Sequence, residues 1–157
     1  MTQREWFAAV LGGRWEDVRA LHAQGADLDC TDRDGRSALF HAILNGDLAG
    51  ARWLVEAGCR LDLADRLGKT PLHYAVQMHD AGLVELLCAR RTPIEAADAH
   101  GNTPLSDAVF ESRGRGEVIA VLLRHGADPD RSNHHGVTPR SLAASIGNFD
   151  VAQFLPN

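Results

Sequence analysis

The chain has 157 residues, enough for one domain. Hydrophobic residues make up 45% and charged residues 24%, a globular balance that argues against wholesale disorder. The net charge of −5 lacks the basic surplus of a dedicated nucleic-acid binder, and no apolar run approaches the roughly 18 residues of a membrane span.

Helical periodicity begins near the start. Residues 1–18 set Arg4, Glu5, Arg14, Glu16 and Asp17 around the apolar stretch 6–11, which is no secretory signal. Trp6, Ala9, Trp15, Val18 and Leu21 are expected to pack inward. Trp53 is read the same way. Three cysteines, Cys30, Cys59 and Cys88, form no C-x-x-C pair. The expectation is a reducing, cytoplasmic setting with no disulfide framework and no structural zinc.

A unit then recurs. Glycines in a D/N-x-x-G setting stand at Gly35, Gly68, Gly101 and Gly136, at intervals of 33, 33 and 35. Ser37-Ala38-Leu39, Thr70-Pro71-Leu72, Thr103-Pro104-Leu105 and Thr138-Pro139-Arg140 keep the same intervals. So do Gly25, Gly58, Arg91 and Gly126. Glycine at the turn takes a conformation that a Cβ resists. Thr before Pro suits a helix start. Leu72, Ala75 and Val76, then Leu83, Val84, Leu86 and Leu87, follow helical spacing. Each unit thus reads turn, helix, turn, helix, loop.

The segment Asp65-Arg66-Leu67-Gly68-Lys69-Thr70-Pro71-Leu72-His73-Tyr74-Ala75 resembles the ankyrin repeat. The resemblance implies an all-α solenoid of stacked helix-turn-helix units with short β-turn or hairpin fingers. The expected single domain has an N-terminal cap unit at 1–31, repeats at 32–64, 65–97 and 98–132, and a C-terminal cap unit at 133–157. Arg140 replaces the Leu39, Leu72 and Leu105 of other units, which suits a terminal helix with one side uncovered. Pro156 would end a second helix begun before it. The expectation is a complete, self-capped monomer.

The family resemblance also implies a protein partner docked on the concave face. Fingertip candidates are Arg33, Asp34 and Arg36; Arg66, Leu67 and Lys69; His100 and Asn102, with His134, His135 and Val137 at the equivalent positions of the last finger. The fingers read as a positive patch with Asp34 the one opposing charge, either a seat for an acidic partner or a solvated turn edge. On the palm, Leu44, Met78, Phe110 and Ile146 form an apolar row, read as an interface or as filler between neighbouring helices. Gln77 and Glu111 join the candidates, as does Tyr74, read as a contact residue or as half core. The two-residue expansion near Arg113 and Arg115 reads as an exposed loop, functional or a tolerated insertion.

Chemistry of other kinds finds little support. The resemblance implies that His73 ties adjacent turns by hydrogen bonds. His134-His135 lacks further metal ligands in sequence. Asp27 with Asp29, and Asp128 with Asp130, recur in repeat register, which fits turn support. No P-loop or G-x-S-x-G is present. No enzyme activity, metal or cofactor is expected, and a metal-dependent hydrolase is a distant alternative. Residues 98–155, with Gly101-Asn102-Thr103-Pro104-Leu105, Ala108-Val109-Phe110, Gly126-Ala127-Asp128-Pro129 and Asn148-Phe149-Asp150-Val151, resemble small bacterial ankyrin proteins found beside toxin genes. That resemblance implies an immunity protein that binds a cognate toxin and occludes its active site. The alternative is a general scaffold, adaptor or host-directed effector.

Overall fold

Each finger is built by the acidic or amide residue that begins it. The Asp65 carboxylate accepts the backbone N–H groups of Leu67 and Lys69 at 2.9 and 3.1 Å. The Asp65 N–H donates to the Lys69 carbonyl at 2.9 Å. This side-chain-to-backbone bonding closes a turn locally. Asp32, Asp98 and Asn133 repeat it. Gly68 follows at φ 73°, and a Cβ there would lie 2.9 Å from the Ala99 nitrogen. The missing side chain lets fingers stack. The N–H groups of Arg66, Ala99 and His134 donate to the Asp34, Leu67 and His100 carbonyls at 2.9, 2.9 and 3.0 Å. Among the described residues the fingers are turns, with no assigned strand.

The computed structural model describes residues 3–147 and 149–156. Asn148, part of the C-terminal motif, and Asn157 lie outside them. The described residues form nine helices: α1 (Gln3–Leu11), α2 (Trp15–Ala23), α3 (Ala38–Leu44), α4 (Leu48–Glu56), α5 (Pro71–Gln77), α6 (Ala81–Ala89), α7 (Pro104–Glu111), α8 (Glu117–Arg124) and α9 (Pro139–Ser145). A 3-10 turn follows at Ala152–Phe154. Thr-Pro starts α5, α7 and α9 as expected. Thr103 Oγ1, for example, accepts the Ser106 N–H. The second helices α4 and α6 are capped by Asp47 and Asp80, whose carboxylates accept the Gly50 and Leu83 N–H groups at 2.9 and 2.8 Å.

Helices α1, α3, α5, α7 and α9 stack in one row, and α4, α6 and α8 in another. The core lies between the rows and includes Phe40, Ile43, Leu54, Leu72, Leu87, Leu105 and Leu122, all fully buried. No single unit encloses such a core; the stack does.

The ends are built differently from the middle. Trp6, Ala9 and Val18 are buried, with Trp15 and Leu21 half-buried against them. The Trp15 ring lies on Gly50, where a Cβ would sit 2.0 Å from Cζ2, and its Nε1–H donates to Asp47. Trp53 is half-buried, edge-on to His22. At the other end, the second helix of the last unit is replaced by the short 3-10 turn, with Val151 and Leu155 buried. Arg140 holds the Asp130 carboxylate with two bonds of 2.7 and 3.0 Å and donates to the Pro156 carbonyl.

Candidate functional site

The concave face forms where fingers meet first helices. His41, Tyr74 and Asp107 stand 33 residues apart and face the fingers from α3, α5 and α7. Each meets a charged finger residue. His41 Nε2 lies 2.8 Å from Asp32 Oδ2. The Tyr74 hydroxyl donates to Asp65 Oδ2 at 2.6 Å. Lys69 Nζ lies 2.7 Å from Asp107 Oδ2.

These pairs correct the expected positive patch. Arg36 Nε donates to Asp65 at 3.3 Å and its Nη2 to the Tyr74 oxygen at 3.1 Å, while its guanidinium stacks 5.4 Å from the ring centroid. Lys69 is neutralised by Asp107, and Arg66 lies 3.7 Å from Asp34. Only Arg33 of the four expected cations lacks a carboxylate partner among the described residues. Tyr74 takes the core alternative: at 7% exposure it is a buried link in this network.

Electrostatics follow the bonding. Burial pushes the Asp65 carboxyl upward, but the Tyr74 hydroxyl, the Lys69 and Leu67 amides and Arg36 outweigh it and hold it below the ordinary value of 3.8. Burial holds the His73 imidazole below 6.5. The neutral ring accepts the Thr70 N–H at Nδ1 (3.1 Å), and its Nε2–H donates to the Asn102 carbonyl at 3.2 Å. His73 therefore ties one turn to the next.

Beyond this network lies a groove of about 380 Å³ between α5, α7, α9 and the last three fingers. Its walls include six of the expected contact residues: Lys69, Gln77, His100, Asn102, Phe110 and Glu111. Phe110 is 68% exposed. Gln77 Nε2–H donates to Asp107 at 3.3 Å, and Asn102 Oδ1 accepts from Asn133 Nδ2 at 2.8 Å. Val137, a fingertip position of the last finger, lines the groove too, as do Asp107 and Leu142, which sequence reasoning missed. Repeat register was the available signal for Asp107.

The other expected contacts fall elsewhere. Arg33, Asp34, Arg66 and Leu67 are exposed finger residues outside the groove lining. Met78 is exposed beside it. Leu11 and Leu44 are exposed at the ends of α1 and α3, in 33-residue register with Phe110; Leu11 was not anticipated. Ile146 is half-buried against the core, which fits the reading of this position as filler between helices rather than open interface. Arg113 and Arg115 are exposed on the expanded loop. That loop is not free: Phe149 packs on Gly114 and Phe154 on Gly116.

The Asp pairs serve their own turns. Asp29 N–H donates to Asp27, and Asp130 N–H to Asp128, each at 2.9 Å. His134 and His135 are exposed, and no group of three or more His, Cys, Asp or Glu able to hold a metal occurs among the described residues. No described helix is long and apolar enough to cross a membrane.

No curated protein matches the chain. The family model for ankyrin repeats, three copies, matches residues 6–98 and again residues 68–133. Ankyrin repeats indicate a protein-interaction module and are generally non-enzymatic. With that match added to the finger, capping and stacking geometry, the chain belongs to the ankyrin-repeat family.

Proposed function

We propose that the chain binds a protein partner in the concave groove, with Phe110 as the apolar anchor. The observation that carries this is the exposure of Phe110, 68% on the groove wall. Removing such a ring from water stabilises a complex by about 1.5–3 kcal/mol, and aromatic anchors dominate binding surfaces. Exposed Leu11, Leu44 and Met78 extend the apolar contact along the same face. The Lys69–Asp107 pair and Glu111 supply polar groups beside the anchor, which fix orientation.

In its finer form the partner is a toxin, and the chain is an immunity protein that covers the toxin's active site. Support for this comes from the resemblance of residues 98–155 to bacterial ankyrin proteins found beside toxin genes. The test is co-expression of the tagged chain with its genomic neighbours, read by size-exclusion mass. A stable one-to-one complex whose enzymatic partner is silenced is expected. A lone monomer rejects the toxin reading and leaves a general scaffold, to be pursued by pull-down.

A further inference from the structure

A second concavity, of about 320 Å³, shares no lining residue with the groove and lies where the turn after α5 meets the expanded loop before α8. Its walls include His79, Ser112, Arg115 and Glu117. Ser112 is 3% exposed, and its buried hydroxyl has no hydrogen-bond partner. Native structures rarely leave such a group unbonded, because the loss costs free energy. Beside it, Arg115 Nε lies 3.5 Å from the Ser112 carbonyl, which steadies the guanidinium. Arg115 forms no ion pair among the described residues.

The start of α8 opens on the same wall. Helices α4 and α6 each have an Asp at this position, but α8 has Gly116 and no side-chain cap. The reason is steric: a Cβ at Gly116 would lie 2.3 Å from Phe154 Cδ1. The first-turn amides of α8 therefore lack the carboxylate that closes the sister helices, and a helix N-terminus favours an anion. Opposing charge comes from Glu117 on the rim and from Glu111 nearby.

We propose that this concavity binds the phosphate group of a small phosphate ester. Ser112 Oγ–H and the Arg115 guanidinium donate to its oxygens, and the α8 N-terminus completes the anion seat. Glu117 opposes a bare anion and favours an ester that also carries an ammonium or hydroxyl donor. Burial and the Arg115 and Arg113 cations hold the His79 imidazole below its ordinary value, against Glu111 and Glu117; a bound anion would raise it.

The test uses the full chain, titrated at neutral pH with inorganic phosphate and, separately, with O-phosphoserine. Amide resonances of Val118 and Ile119 and the His79 ring are followed. Saturable shifts are expected with both, tighter for O-phosphoserine. Arg115→Gln and Ser112→Ala should each weaken binding about tenfold or more, as loss of a charge-assisted bond does. Arg33→Gln, on an exposed finger, should change nothing. Melting curves show whether the variants are folded. Absence of saturable shifts, or equal binding by folded Arg115→Gln, overturns the proposal.

Discussion

Lys69 and Asp107 meet at 2.7 Å across adjacent repeats, with side chains only 18% and 13% exposed. The pair links the second full finger to helix α7, and Gln77 donates to the same carboxylate. Asp107→Ala leaves Lys69 half-buried without its partner. The expected cost is about 1–3 kcal/mol, read by urea unfolding. Breaking the exposed Arg60–Asp62 pair should leave the melting point unchanged.

Tyr74→Phe removes the 2.6 Å bond to buried Asp65. A hydrogen bond to a charged group contributes about 1.5–3 kcal/mol. Asp65 has a folded value below 3.8, so its contribution is present above 3.8 and is lost as pH falls through the lowered value. The gap between wild type and Tyr74→Phe should therefore be widest above pH 3.8 and shrink in acid. A gap independent of pH would show that Asp65 is not the partner that matters.

His73 gives the opposite ionisation with the same slope. Its folded value lies below 6.5 because burial disfavours the imidazolium. The unfolded chain binds the proton first, so stability is full above 6.5 and declines as pH falls from there toward the folded value. Urea midpoints for wild type and His73→Gln between pH 7.5 and 5.5 check this. The variant should start lower and show a shallower pH slope over that range.

Gly116→Ala forces a Cβ into the Phe154 ring. Overpacking of this kind costs about 1–3 kcal/mol. Gly147→Ala, where a Cβ meets nothing within 4 Å, is the control. A melting curve for Gly116→Ala that matches wild type would show that the C-terminal segment does not rest on the loop.

The repeat period made most of the fold legible. Asp65, Gly68, Thr70 and Pro71 each set a turn or helix start by local chemistry, and local chemistry is what a sequence displays directly. The concave face was harder. Reading each finger alone left Arg36 and Lys69 as free cations. Their partners, Asp65 and Asp107, stand 29 and 38 residues away, in the neighbouring repeat. The loop before α8 was legible as an insertion, but its packing was not. Phe149 and Phe154 reach it from a tail that departs from the repeat pattern, so repeat register did not point to the contact.

The central claim is that Phe110 anchors a protein partner in the groove. The most direct measurement is the calorimetric affinity of Phe110→Ala for the partner that co-purifies with wild type, alongside a thermal melt of each protein. The account predicts an affinity weaker by about 2 kcal/mol or more and an unchanged melting point, because the ring is 68% exposed. Unchanged affinity would contradict it, as would a large drop in melting temperature, which would make Phe110 part of the packing.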